Sequence, residues 1–360
     1  MTWEQKSFDE IGFIGRGKSR HRPRNAEHLY GGEYPFVQTG DIKAANFRIT
    51  AFSQTYNEAG LAQSKLWKEG TLCITIAANI ADTAILGMDA CFPDSVIGFV
   101  ADENKSDVRF VKYFFDVFQA RMKSISTGAA QDNLSLEKLL TFKIPTPPLT
   151  TQRRIAFILS AYDDLIENNL KRIKLLEEKA FLDYKCINRD FHDFKVEKKK
   201  LKDVMDLKYG KALKADNRTR GKYPVFGSSG VVGSHESYLV DGPGIVVGRK
   251  GNVGSVFWSF DNFWVIDTAY YVESKISLYY LYFNLQEQHF VNTDAAVPGL
   301  NRNFALDNPF ILPPINEISL FEKSIKPVFQ LMQNLHHQNT KLREARDILL
   351  PRLMSGEIEV

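Results

Sequence analysis

The residues best suited to chemistry lie near the start of the chain. Gly15-Arg16-Gly17-Lys18-Ser19-Arg20-His21-Arg22-Pro23-Arg24-Asn25 is a run of cations and small residues with no acid. Arginine can fork onto phosphate oxygens or the guanine edge, and glycines let a loop follow a groove closely. Gly12 to Ser19 also satisfies G-x-x-x-x-G-K-[ST]. Cradling a nucleotide with that pattern needs an apolar strand before the loop and a helix after it. The residues ahead are polar and Pro23 follows within the cations, so the segment reads as a loop facing nucleic acid. Its candidate contacts are Arg16, Lys18, Arg20, Arg22, Arg24 and Asn25.

A second basic stretch runs from Lys208 to Lys222 and supplies Lys211, Lys214, Asn217, Arg218 and Arg220. Farther on, Gly248-Arg249-Lys250-Gly251-Asn252 puts two cations in a tight turn, with Asn252 beside them. Amide side chains in polar loops can pair with adenine edges, which adds Asn79, Gln131 and Asn133, and then Asn301 and Asn303, with the cation Arg302 between them as a further candidate contact. Any one of these cations, taken singly, reads as a solvated surface charge. The clusters favour nucleic acid, without separating phosphate contacts from base contacts. For the loops around Leu134 and Leu300, a shared structural turn weighs as much as a shared contact.

No catalytic or metal site emerges. Asp307-Asn308-Pro309-Phe310 is near the Asp/Asn-Pro-Pro-Tyr/Phe motif of amino-methyltransferases, but its second residue is Asn and no glycine-rich cofactor loop accompanies it. The adjacent His336 and His337 diverge on a helix. The widely spaced Cys73, Cys91 and Cys186 form no C-x-x-C pair, which suits a reducing cytoplasm. The polar N-terminus is unlike a signal peptide, and no apolar run reaches a membrane span. At 360 residues, with ordinary apolar and charged fractions and a net charge of +3, the chain reads as two or three globular domains.

What positions the basic stretches is a repeat. Ala129-Ala130, Leu134, Leu140, Pro147-Pro148, Leu165 and Leu176 recur 166 residues later as Ala295-Ala296, Leu300, Leu306, Pro313-Pro314, Leu331 and Leu342. Residues 1–150 read as a strand-dominated domain, with strands at Thr71–Ile76 and Ser95–Val100. Helical periodicity spans 151–190, strand-and-turn signals return over 191–314, and a second helix occupies 315–360. In the first helix the seam carries Leu159, Ile166 and Ile173 at heptad position a, and Ile155, Tyr162, Asn169, Leu176 and Asp183 at d. In the second it carries Ile325, Met332, Asn339 and Arg346 at a, and Phe321, Val328, Leu335, Leu342 and Leu349 at d. Each seam can fill the other, with Asn169 and Asn339 as register-setting polar residues. Pro327 should kink or delay the second helix. The fold class is α+β: two strand-rich domains joined by two long antiparallel helices in a coiled coil, with pseudo-twofold symmetry. About 37 residues make a rod of roughly 55 Å, against roughly 34–36 Å for a turn of B-DNA.

Lys143-Ile144-Pro145-Thr146-Pro147-Pro148-Leu149-Thr150-Thr151-Gln152-Arg153-Arg154-Ile155-Ala156, and the closing Leu349-Leu350-Pro351-Arg352-Leu353-Met354-Ser355-Gly356, carry a resemblance. Over essentially its whole length the chain resembles the specificity subunit of type I restriction-modification systems. It departs at Ile318, where the glutamine of the first helix entry would recur. The resemblance implies two target-recognition domains, each reading half of a split, asymmetric site in double-stranded DNA. It further implies that the helices act as ruler and dock for two methyltransferase subunits, which hold restriction subunits. S-adenosylmethionine, ATP and Mg2+ would then belong to the partners, and this chain would carry no cofactor and no catalysis. The alternatives are a self-sufficient DNA methyltransferase or nuclease, and a protein-binding scaffold without a DNA role.

Overall fold

The computed structural model describes residues 3–76, 82–125, 135–190, 197–292 and 299–360; Asn79, Gln131 and Asn133 therefore lie outside the described residues. Packing divides the chain into two compact units, Met1–Leu170 with His337–Val360, and Lys171–His336. These units cut across the sequence segments, because each long helix contributes to both.

In the first unit a five-stranded sheet runs in the order Gly12–Arg16, Val96–Ala101, Leu72–Thr75, Thr83–Leu86, Arg48–Ile49. A four-stranded sheet orders Gln54–Tyr56, Tyr30–Phe36, Ala90–Cys91, Leu66–Trp67. Leu72–Thr75 is buried along its whole length, as a continuous apolar run between covered faces should be. The helix Val108–Ile125 packs Phe110, Val111, Tyr113 and Phe115 against this core. The strand-dominated sequence reading missed that helix, although Val108, Val111, Phe115 and Phe118 follow a helical period.

The second unit repeats the plan with sheets ordered Met205–Tyr209, Ala269–Ser274, Gly244–Gly248, Val256–Ser259 and Gly230–His235, Tyr223–Gly227, Trp264–Val265. Tyr34-Pro35 and Tyr223-Pro224 lie in strands that each pair antiparallel with one neighbour and parallel with another. From Ser135 onward the 166-residue offset also holds element by element. Ser135 caps Leu136–Thr141, and Asn301 caps Arg302–Leu306. Ile144–Thr146 pairs with Glu4–Lys6, and Pro309–Leu312 with Glu197–Lys200. The long helices start at Leu149 and Ile315.

Those helices, Leu149–Asp190 and Ile315–Met354, pack antiparallel within each unit. Ile155 and Leu159 share the first core with Leu350 and Leu353. Ile173, Ala180 and Tyr184 share the second with Phe321, Ile325, Met332 and Leu335. Each fully buried Leu, Ile, Phe or Met among them contributes roughly 1.5–3 kcal/mol. Ile166 is buried; Leu176 and Val328 pack partly buried against the second core, as Leu349 does against the first. Tyr162 and Leu342 are half-buried. Two expectations change. Pro327 does not delay the second helix, which is already formed at Ile315. Near the end of the first helix Tyr184 is the buried residue in place of Asp183, because a 3.6-residue turn drifts from a 3.5-residue repeat.

The two helix entries are built differently. The Gln152 side chain, 1% exposed, donates to the Lys105 and Pro147 carbonyls at 3.1 and 2.9 Å and accepts from the Asp107 N–H at 3.1 Å. It thereby ties the first long helix to the start of Val108–Ile125. Ile318 instead enters the apolar core, and Oγ of Ser277, which precedes the helix Leu278–Glu287, is buried without a partner among the described residues.

Candidate nucleic-acid interface

In the first unit the basic stretch leaves the sheet at the end of Gly12–Arg16 and loops over its edge. The Gly17 and Lys18 N–H groups donate to the Val96 and Phe92 carbonyls at 2.8 and 3.0 Å. Those donors are therefore unavailable to a phosphate, and no helix starts within the seven residues after Ser19, which removes both requirements of a nucleotide cradle. Gly17 is needed for close approach, since a Cβ there would lie 2.3 Å from the Pro93 carbonyl oxygen.

The cations of this loop differ in what they are free to do. Arg22 and Arg24 converge on Asp94 at 3.5 and 2.5 Å, and Arg22 also donates to the Ser19 and His21 carbonyls. They hold the loop together while leaving one net positive charge. Arg16, Arg20 and Asn25 are exposed and Lys18 half-buried, and none of the three cations makes an ion pair among the described residues. Beside them Phe13 is 55% exposed, and the Lys65 ammonium sits 3.6 Å over Trp67 and 4.6 Å over Phe13. Burial pulls the Lys65 pKa down from its ordinary value.

The second unit presents its cations from two places. Lys211, Lys214, Asn217 and Arg220 are exposed on the loop after Met205–Tyr209. Arg218 is different: its guanidinium donates to the Val232 carbonyl at 2.8 Å and the Leu213 carbonyl at 3.3 Å, latching the loop to the strand Gly230–His235. Lys250 and Asn252 are exposed in the turn after Gly244–Gly248. That turn requires glycine at 251, where φ is +83°, and at 248, where a Cβ would meet the Asn252 carbonyl oxygen at 2.0 Å. Arg249 donates to the Asp267 carbonyl at 3.0 Å and lies 4.9 Å over the ring of Tyr209.

Tyr209 was not among the sequence candidates. It is 55% exposed, packs edge-on against Tyr270 at 5.1 Å, and gives Arg249 an aromatic base. Burial, reinforced by Tyr209, pushes the Tyr270 hydroxyl up to about 12. An aromatic residue just before Gly210-Lys211 was the available signal.

The polar residues near Leu300 are structural. The Asn301 carboxamide caps its helix by accepting from the Asn303 and Phe304 N–H groups at 3.0 and 3.1 Å. Arg302 donates to the Leu207 carbonyl at 2.6 Å and pairs with Asp206, and also reaches the Asn303 side chain at 3.3 Å. Asp307 pairs with Lys200 and Lys202, and Asn308 donates to Gln288 and to the His289 carbonyl. The motif at Asp307–Phe310 is thus engaged in holding its own turn and strand.

A buried polar group joins the first recognition core to the helices, and the sequence alone did not reveal it. Tyr113 donates to Asp163 at 2.5 Å, and Arg346 reaches the other Asp163 oxygen at 2.5 Å. Burial opposes the Arg346 charge, but Asp163 and Asp347 outweigh it and hold the guanidinium above its ordinary pKa. On the same face Arg48 bridges Asp164 and Glu167 at 2.6 and 3.0 Å. The corresponding region of the second unit is aromatic, with Phe329 packed 4.7 Å from Trp258.

Residues 1–178 and 194–342 each match the family described as the type I restriction modification DNA specificity domain. The chain belongs to this family. Among specificity-domain proteins, it is 24% identical to the type I restriction enzyme MjaIX specificity subunit of Methanocaldococcus jannaschii, across 99% of this chain and 94% of that one. It is 27% identical to the EcoR124I/EcoR124II specificity subunit of Escherichia coli over 51% of its own length and 47% of the relative's. In fold it matches the crystal structure of the type I restriction-modification S subunit from M. genitalium, with a TM-score of 0.55 at 19% identity over 98% of this chain and 96% of that one. This specificity-domain chain contains no helix, among the described residues, long and apolar enough to cross a membrane.

Proposed function

We propose that this chain is the DNA-recognition subunit of a type I restriction-modification complex, with each recognition domain reading one half of a bipartite, asymmetric site. The observation that carries the reading is a duplicated scaffold bearing unlike basic loops: Arg16 to Asn25 in one half, and Lys211 to Arg220 with Arg249 to Asn252 in the other. A repeated framework with divergent readers is what a split, non-palindromic target requires. Exposed cations without an ion pair among the described residues, such as Arg20 and Lys211, suit phosphate, and the Arg249 guanidinium held over Tyr209 suits a base edge.

In this reading the chain is non-catalytic and works in the cytoplasm. Two methyltransferase subunits dock on the helices, restriction subunits join through them, and S-adenosylmethionine, ATP and Mg2+ bind to those partners. A self-sufficient methyltransferase is disfavoured because Asp307 and Asn308 are already spent on neighbouring side chains and carbonyls.

The test is single-molecule methylation mapping in cells expressing the methyltransferase subunit with and without this chain. Methyl-adenine appearing only with the chain, at a two-part motif with an unread gap, is the expected result. Identical methylation without it would overturn the reading.

A further inference from the structure

Arg249 is held in the second unit by backbone and side chain together. Its N–H donates to the Thr268 carbonyl at 2.9 Å and its carbonyl accepts from the Leu300 N–H at 2.8 Å, so the main chain is pinned on either side of the side chain. The guanidinium donates to the Asp267 carbonyl at 3.0 Å and lies 4.9 Å over the Tyr209 ring and 5.8 Å over that of Tyr270. Tyr270 is sealed from solvent and donates to the Leu300 carbonyl at 2.9 Å, so the ring that supports Tyr209 is fixed in turn. Arg249 has no carboxylate partner among the described residues, and it is flanked by the exposed Lys250 and Asn252.

A phosphate asks only for charge and reach, which the exposed lysines nearby already supply. Fixing the plane of a guanidinium serves a partner that is itself planar and offers two acceptors side by side. Guanine does so in the major groove with O6 and N7, whereas adenine sets a donor beside its N7 and the pyrimidines present no such pair. With one of its five N–H groups spent on Asp267, the guanidinium keeps enough donors for both acceptors. The described residues of the first unit hold no counterpart. There Ile97 lies in register between Arg16 and Ile74, as Tyr270 lies between Tyr209 and Val247. An arginine thus stands where the tyrosine platform would be, and the buried Ile76, two residues past Ile74, stands where Arg249 would be.

We infer that Arg249 reads a guanine in the half-site of the second recognition domain, through paired hydrogen bonds to O6 and N7, with Tyr209 as the positioning residue that holds its plane. The inference rests on the proposed function and adds to it which base the second domain demands and which side chain demands it. Lys211, Lys214 and Lys250 are then sequence-blind contacts to phosphate.

Methylation mapping in cells expressing the methyltransferase subunit with the full chain reads the motif base by base. With Arg249→Ala one G·C position in one half should become degenerate while the other half stays as it was, and Lys250→Ala should leave the motif unchanged. Competition binding by the assembled complex, with 7-deazaguanine replacing each guanine of that half in turn, removes N7 from the DNA without touching the protein. Wild type should lose affinity on the order of 10-fold at one position, and Arg249→Ala should lose nothing further there. Tyr209→Leu should reduce this discrimination and Tyr209→Phe should restore it. A motif that keeps every guanine with Arg249→Ala, or a wild-type complex indifferent to 7-deazaguanine at every position, would overturn the inference while leaving the functional reading intact. Because the second result needs only the unaltered chain, it decides the matter even where a variant fails to fold. A wild-type chain that imposes no motif on methylation would overturn both.

Discussion

The Asn169 side-chain amide donates a 2.9 Å hydrogen bond to the Asn339 side-chain oxygen inside the helix pair, where both residues are nearly sealed from solvent. The Asn339 amide nitrogen has no partner among the described residues. The pair is therefore satisfied only in part, and a polar pair in an apolar seam trades stability for register.

Replacing one member should cost more than replacing both. Asn169→Leu strands the remaining Asn339 group at about 1–3 kcal/mol, whereas the double leucine variant removes the unmet groups altogether. Thermal melting of the singles and the double checks this. A double variant no more stable than either single would refute it.

Asp163 anchors Tyr113 and Arg346 together. Asp163→Ala leaves the buried Tyr113 phenol without an acceptor and the mostly buried Arg346 guanidinium with Asp347 alone, and should destabilise by about 3–5 kcal/mol. Asp163→Ala/Arg346→Ala should lose less than the sum of its single variants, because the two residues share one interaction. Urea unfolding of the four proteins measures the coupling.

Gln152→Leu keeps the volume but abandons the Lys105 and Pro147 carbonyls and the Asp107 N–H. The expected loss is about 2–4 kcal/mol, as more than one buried backbone group goes unpaired. Hydrogen exchange should show the start of the helix Val108–Ile125 opening first.

Cations with different partners should fail differently. Lys211→Ala and Lys214→Ala should leave melting unchanged and lower the salt slope of DNA binding by the assembled complex, by about 0.9 for each phosphate the chain no longer neutralises. Arg218→Ala and Arg302→Ala should lower the melting temperature first, because their guanidinium groups hold backbone carbonyls. A stable Arg218→Ala chain would contradict the latch.

Glu10 accepts from the Ser7 N–H and hydroxyl at 2.6 and 2.7 Å, which, with Lys143 nearby, pulls its pKa to about 2. A carboxylate lowered on folding stabilises the fold above its unfolded pKa, and that contribution is lost as pH falls from about 4.5 through 2. Glu10→Gln should therefore flatten the acid limb of the stability profile in this window. An unchanged limb would exclude the cap as its source.

Much of the architecture was legible because it is periodic. A 166-residue offset fixed where equivalent turns, strands and helix starts must recur, and seam residues such as Ile155, Leu159 and Met332 followed from heptad spacing. The helix Val108–Ile125 escaped because its run of phenylalanines also suits a strand. Tyr184 displaced Asp183 because a small angular drift accumulates along the helix, and a strict heptad spacing carries no such drift.

The sequence by itself determined the duplication, the antiparallel helix pair and the family, since each depends on spacing along the chain. Only the tertiary structure decided which basic residues are free. Arg218 and Arg20 look alike in sequence, yet one guanidinium closes on the Val232 and Leu213 carbonyls and the other makes no ion pair among the described residues. Asn301 likewise became a helix cap, and Asp163 a buried anchor. The physical reason is that a side chain's type sets what it can bond to, while the atoms that come within bonding distance of it belong to strands and helices distant in the chain.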